Sequence, residues 1–271
     1  MTSANPTALV TGASSGIGRA TALALVDAGF EMIGTSRHTS GVAPLDGVTF
    51  LDLDVTSDES VNKVVGRVIE RFGRIDVLVN NAGTGAAGAA EESSVAQDQR
   101  VFDINFFGLV RMMKAVLPHM HAAGTGRIIN ISSVLGLVPA PYMASYAATK
   151  FAIEGYSESV DHEVREHGIR VLLVEPGYTR TGFDANAIQP DAPLPIYTVQ
   201  RHVFDGVLAR GMAAGDDPAI VAKAIVAAAT DPKPRLRYTA GPTAGRISAL
   251  RRFVPTRVFD RQIRKLNRLP A

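Results

Sequence analysis

A phenol and an ammonium one helical turn apart are the residues of this chain most able to do chemistry. Tyr146 and Lys150 lie in "SYAATKFAIEG", Ser145 to Gly155, separated only by Ala147, Ala148 and Thr149. An i,i+4 pair shares one helix face and most often just covers a solvated surface. Its chemical use would be proton transfer. Tyrosine ionises near pH ~10 and is a poor acid or base at neutrality. A cation one turn away stabilises the phenolate and should bring that value toward the working range. A carbonyl oxygen gaining charge also needs a hydrogen-bond donor, and two serines, Ser132 and Ser133 in "ISSVLG", compete for that place.

A second cluster could hold an anion. "TGASSGIG" carries glycines at 12, 16 and 18, with Ser14, Ser15 and Ile17 between them. Gly12 lets the chain turn off a strand, while Gly16 and Gly18 let backbone approach a pyrophosphate at a helix N-terminus. The spacing is G-x-x-x-G-x-G, not the G-x-G-x-x-G of the usual dinucleotide fingerprint. The second strand ends in Ser36 and Arg37, where an NAD-selecting fold places an acid on the ribose 2′-hydroxyl. Arg37 can bond a 2′-phosphate that an acid would repel, so NADP(H) is the expected cofactor. The competing reading is a solvated arginine at a strand end.

The elements that must carry these groups alternate strand and helix. "TALVTG", a helix over Gly16 to Ala28, "FEMIGTS", "VTFLDLDV", a helix over Ser57 to Phe72 and "IDVLVNNAG" form successive βαβ units. A long helix from about Gln97 to Met120, "GRIINIS", the helix holding Tyr146, "IRVLLVEPG", a helix over Pro218 to Thr230 and a strand near "LRYTA" follow. Uniformly apolar strands alternating with helices predict an α/β fold, a Rossmann-like doubly wound sheet of seven parallel strands. With 271 residues, 46% apolar and 20% charged, one domain is expected over 1–240, with a basic extension, 241–271, packed on it. No cysteine is present, which excludes disulfides and thiolate zinc sites. A formal charge of +2 gives no case for nucleic acid, and no apolar run is long enough to span a bilayer, so a cytoplasmic protein is expected.

In order and spacing, TGASSGIG, LDLDVT at 51–56, NNAG at 80–83, Asn105 in "DINFFG", ISSVLG, YAATK and PGYTRT at 176–181 make the chain resemble the short-chain dehydrogenase/reductase family to about residue 240. The resemblance implies that Ser133, thirteen residues before Tyr146, bonds the substrate oxygen, with Ser132 structural. It implies that Tyr146 donates the proton, that Lys150, with the positive nicotinamide ring of the oxidised cofactor, lowers its pKa, that Lys150 holds the nicotinamide ribose, and that Asn105 holds a water for proton relay to Lys150. It further places Asp54 and Val55 on the adenine and Asn81, Ala82 and Gly83 on the adenosine ribose. Pro176, Gly177, Thr179 and Thr181 fall near the nicotinamide carboxamide and phosphates, while Asp52 and Asn80 are expected to be structural. The implied activity is NADPH-dependent interconversion of a carbonyl and its alcohol, nearest to the hydroxysteroid and retinol branch. A ketoacyl-carrier-protein reductase and a non-catalytic NADP-binding regulator are the rivals. A homodimer or homotetramer is expected from the family and from the two long helices.

Gly182 to Gly215 follows the sixth strand and should lie over the nicotinamide as a lid. Phe183 and Tyr197 from it, with Leu135, Pro139 and Met143 near the serine and tyrosine, predict a small hydrophobic substrate. His119 and His121 form H-x-H at a helix end with no third ligand in view, so no metal is expected. Seven Lys or Arg crowd residues 251–271 against one acid, Asp260. This tail is read as an amphipathic helix on the body or on a partner subunit; contact with an anionic membrane is the less favoured reading.

Overall fold

The computed structural model describes residues 5–183 and 185–269. Asp184 of the expected lid, and Pro270 and Ala271 of the extension, lie outside the described residues. The strands are β1 (Thr7–Val10), β2 (Glu31–Ser36), β3 (Val48–Asp52), β4 (Val77–Asn80), β5 (Gly126–Ile131), β6 (Ile169–Pro176) and β7 (Arg237–Ala240). They form one sheet in the order β3-β2-β1-β4-β5-β6-β7, every pairing parallel. Winding reverses at β1, which pairs Ala8 with Met32 on one side and with Val77 on the other. That reversal opens a crevice at the carboxyl ends of β1 and β4.

Helices cover both faces, so adjacent strand residues bury in opposite directions. Leu9, Leu78, Ile128 and Leu173 join one core with the helices α2 (Asp58–Phe72), α4 (Gly108–Ala123) and α5 (Ala144–Val164). Val10, Val79, Ile129 and Leu172 join the other with α1 (Gly16–Asp27) and α7 (Pro218–Thr230). Local sequence sets the helix ends. Ser57 accepts from Ser60 N and Gly73 ends α2 in the left-handed region; Pro218 opens α7, with Asp217 accepting from Ala219 N.

The expected helix from Gln97 to Met120 is instead α3 (Val95–Phe102) and α4, joined by a π turn over Asp103–Phe107. The residues after β6 contain a helix absent from the sequence reading, α6 (Thr198–Ala213). The basic extension forms α8 (Pro242–Phe253) and α9 (Thr256–Leu266). In α8, Ala244 is fully buried; in α9, Phe259 and Ile263 are half-buried while Arg257, Arg261 and Lys265 are exposed. Among the described residues no helix is long and apolar enough to cross a membrane.

Candidate active site

At the end of β1 the chain turns through Gly12 and Gly16, both with positive φ, onto α1. Ser15 caps α1 with extended backbone but no side-chain bond, so the first-turn N–H groups keep their affinity for an anion. A Cβ on Gly18 would lie 2.1 Å from Gly12 O, and one on Gly16 would lie 3.1 Å from Thr181 Cγ2, so this cradle admits no side chain at those positions. The Asn81 amide donates to Thr11 O at 2.9 Å and Gly12 O at 3.0 Å, and Thr11 Oγ1 accepts from Asn81 N and Ala82 N. Asn81 is thus spent on holding the loop. Ser14 and Ile17 are half-buried in the same turn.

Arg37 is exposed beyond β2, and its charge helps hold the Asp54 carboxyl below its usual value, after the two hydrogen bonds from Thr56. Asp52 accepts from Thr39 N and Oγ1 at 2.7 Å, and Asn80 donates to Asn130 inside the core. Val55 is buried; its carbonyl accepts from Arg111 at 3.3 Å, and its side chain abuts Gly108. Pro176 ends β6, Gly177 accepts from Thr179 Oγ1, and Thr179 is buried beside Asp216. The cradle and these flanking residues fit a dinucleotide: Gly12 to Gly18 for its phosphates, Arg37 and Asp54 for the adenosine half, Lys150 and Thr179 to Thr181 for the nicotinamide half.

Ser133, Tyr146 and Lys150 meet at the end of β5. Tyr146 is 8% exposed, and Lys150 Nζ lies 5.5 Å from its ring centroid. Lys150 is itself buried and donates to Ile131 O at 2.8 Å. Ser133 accepts from Leu135 N at 3.1 Å and lies close enough to the phenol to favour its charged form. In the chain by itself, burial pushes Tyr146 up to about 12, Ser133 opposing it. Burial pulls Lys150 down to about 8, the Glu154 charge opposing it. In the chain by itself desolvation thus dominates both groups, with the ammonium over the face of the ring.

Asn105 sits in the π turn, 2% exposed. Its Oδ1 accepts from Thr84 N at 2.8 Å, and its Nδ2 donates to Thr84 O at 2.9 Å and Thr149 Oγ1 at 3.3 Å. Gly83 packs against the same amide. The side chain ties the loop after β4 to α5. Insertion of one residue into a helix at a functional site is a recurrent device.

An apolar cluster encloses Tyr146: Met143, Phe204, Leu208 and Met212 are buried, with Leu135, Tyr142 and Phe183 packed on them. Phe183 meets the Tyr146 ring edge-on at 5.3 Å. Two expected substrate residues stand apart. Pro139 is exposed, and Tyr197 donates its hydroxyl to Glu91 at 2.8 Å on the rim, because α6 turns its Phe204 side inward. Phe204 and Tyr142 were not foreseen; Phe204, Leu208 and Met212 at i, i+4 and i+8 were the available signal. Tyr142 holds φ 62°, a left-handed conformation that costs a non-glycine residue about 1–3 kcal/mol. Glu92, fully buried, fastens the residues after β6: it accepts from Leu194 N at 2.7 Å and Ala89 N at 3.1 Å and pairs with Arg201. His121 stacks edge-on with His167, the ring centroids 4.9 Å apart.

Known proteins share this arrangement. The short chain dehydrogenase family model matches residues 6–192. A 3-ketodihydrosphingosine reductase of Bacteroides thetaiotaomicron is 47% identical over 178 residues, 66% of this chain and 65% of that protein, so the chain aligns with just under two thirds of it. Retinol dehydrogenase 8 of Bos taurus is 40% identical over 201 residues, 70% of this chain and 64% of its own. A short-chain dehydrogenase structure from Streptomyces avermitilis superposes with TM-score 0.84 at 36% identity, covering 98% of both chains. Similar structures differ in cofactor: one described as ElxO with NADP bound (27% identity, 88% and 97% coverage, TM-score 0.71), the other a Burkholderia phymatum enzyme with NAD (25%, 95% and 95%, 0.80). A seven-stranded parallel sheet reversing at β1, a glycine-rich turn onto α1 and a serine–tyrosine–lysine cluster at the end of β5 agree with these matches: the chain belongs to the short-chain dehydrogenase family, oxidoreductases that interconvert C=O and CH–OH groups.

Proposed function

We propose that the protein is an NADPH-dependent reductase of a long, hydrophobic ketone or aldehyde, reversible to the alcohol. The observation that carries this reading is the apolar enclosure of Met143, Phe183, Phe204, Leu208 and Met212 around one polar centre, Ser133 and Tyr146. Apolar surroundings of this kind would orient a substrate by a single oxygen and hold its body by burial alone. Retinol and ketodihydrosphingosine, named in two relatives, are both substrates of that kind. The preference for NADPH rests on Arg37, which offers a charge-assisted bond to a 2′-phosphate where an acid would repel it.

The dinucleotide, when bound, supplies the hydride. The chain's own residues do the rest. Ser133 donates to the substrate oxygen as charge develops there. The Tyr146 hydroxyl delivers the proton to that oxygen, and Lys150, an ammonium below about pH 8, stabilises the phenolate left behind. Phe183 and Phe204 exclude water from this transfer. The residues from Gly182 to Gly215 act as the lid, fastened by Glu92. Subunit pairing is proposed on the outer side of α4 and α5, where Phe107 and Phe151 are 48% and 44% exposed beside the Phe106–Tyr156 contact.

The test is a screen of NADPH and NADH oxidation across retinal, long-chain 3-keto amines, ketosteroids, 3-ketoacyl thioesters and small polar ketones. Turnover with the long apolar members and a clear NADPH preference are expected. Turnover confined to small polar ketones, or NADH used equally well, would overturn the assignment.

A further inference from the structure

Four charged side chains meet where α5 crosses β6 and β7, and the chemistry above uses none of them. Glu154 and Glu158 stand on α5, Glu175 on β6 and Arg237 on β7. Arg237 Nε donates to Glu154 Oε2 at 3.1 Å and lies 3.3 Å from Glu175 Oε1, while Nη2 donates to Glu158 Oε2 at 2.9 Å. Glu158 and Arg237 reach solvent, at 46% and 35% exposure; the side chains of Glu154 and Glu175 do not, at 7% and 1%. Three carboxylates around one guanidinium would leave two uncompensated negative charges, mostly buried, a costly arrangement.

Hydrogen bonding is incomplete in the same place. Among the described residues, Glu154 Oε1, both Glu175 oxygens and Ser132 Oγ are buried without a hydrogen-bond partner. Ser132 Oγ and Glu154 Cγ converge over Gly136, where a Cβ would lie 2.7 and 2.9 Å from them. Ser132 is thus close enough to favour the Glu154 charge, although it completes no well-formed bond. Buried carboxylate oxygens short of donors, on two glutamates that approach the same Arg237 Nε, suit a carboxylic acid beside a carboxylate, because the acid O–H supplies a donor. Tyr146, Lys150 and Glu154 fall at i, i+4 and i+8 on α5, so this pair lies one turn behind the lysine.

We infer that Glu154 and Glu175 share one proton near neutral pH and that the pair is a positioning element, whose ionisation controls how firmly Lys150 keeps its ammonium. The inference rests on the assignment of Tyr146 and Lys150 to acid–base chemistry. Burial, and then the Glu154 charge, push Glu175 up to about 7, and burial raises Glu154 as well. Glu154 in turn is the charge that opposes the depression of Lys150. The other groups facing the pair are Glu158 on α5 and Arg237 on β7; Asp161, further along α5, is neutralised by Arg165 and Arg170. Below neutrality the pair carries one negative charge. Above it the shared proton leaves to solvent past Arg237, and the second charge strengthens the hold on the Lys150 proton in the pH range where Lys150 would otherwise lose it.

Infrared titration of the unliganded protein tests the first half without substrate or cofactor. A protonated-carboxyl band should fade as pH rises through about 7, and should be missing at neutral pH from both Glu154→Gln and Glu175→Gln, since each leaves one carboxylate to pair with Arg237. The pH dependence of NADPH binding tests the second half. Removing a negative charge lowers the Lys150 pKa, so the alkaline fall in affinity should move about half to one unit lower in Glu175→Gln and return in Glu175→Asp. A wild-type protein with no protonated carboxyl near neutral pH overturns the inference, as does an alkaline limb that Glu175→Gln leaves in place. Neither readout needs a turned-over substrate, so failure of the substrate screen with a titrating carboxyl band would count against the proposed function alone.

Discussion

At the nucleotide end of the crevice the chain turns on glycines that leave little room for side chains, whereas the substrate end is lined by apolar side chains from distant parts of the chain. A Cβ on Gly18 would strike Gly12 O, and the Thr11 hydroxyl and the Asn81 amide tie that turn to the loop after β4. Across the crevice, Glu92 grips Leu194 and Arg201, Asp191 accepts from Ser94 N at 2.8 Å, and Gln97 donates to Gln189 O at 2.7 Å. The first construction leaves no room for a side chain and suits a ligand that does not vary. The second can change its lining residue by residue and suits a ligand that does. Tyr146 belongs to neither end, since α5 brings it to the seam between them.

The sharpest division would come from that seam. Tyr146→Phe removes one oxygen and should cut kcat by about 10² to 10⁴, with NADPH affinity unchanged by titration and the Phe183 contact preserved. A variant that keeps near-native turnover would leave the proton donor elsewhere. Next, Glu92→Gln leaves Arg201 without its buried partner and should cost about 2–4 kcal/mol of stability, discounted because Arg201 is partly exposed. If the two ends are independent, it should also raise KM for the ketone while leaving the NADPH Kd alone; equal loss of both affinities would break the comparison. Arg37→Asp is the converse, since exchanging a charge-assisted bond for a repulsion should weaken NADPH by about 1.5–3 kcal/mol and spare NADH. An unchanged NADPH/NADH ratio would show Arg37 to be a solvated strand end. The smallest effect is expected from Phe183→Ala. Loss of one apolar wall should alter the ranking of ketones by about 1–2 kcal/mol, read as ratios of kcat/KM, and a changed oligomeric state with unchanged ratios would assign Phe183 to subunit packing.

Much of the nucleotide end was legible because its causes are local. Strand polarity, the glycine spacing, the Ser57 cap and the Pro218 helix start all act within a few residues. The segment proposed as a lid was legible as a stretch after β6, but not as a structure. Pro190, Pro193 and Pro195 dominate its early part, and nothing before Thr198 announces α6. The π turn was hidden for a different reason: Asp103 to Phe107 reads as ordinary helix, and the extra residue is accommodated by bonds from Asn105 to Thr84 and Thr149.

By itself the sequence determined the alternation of elements, the phosphate turn and the Tyr146–Lys150 face of one helix, because period, glycine placement and i,i+4 spacing are properties of the chain alone. Tertiary structure alone decided the electrostatics. Whether a tyrosine beside a lysine sits low or high depends on how much water each has lost, and here burial moves Tyr146 up to about 12 and Lys150 down to about 8. The meeting of Glu154, Glu175 and Arg237 was likewise decided by the packing of α5 on β6 and β7, which brings together charges 21 and 62 positions apart in sequence (175 − 154 and 237 − 175). No local pattern marks such a cluster, since its physics is the desolvation of groups that become neighbours only when the sheet forms.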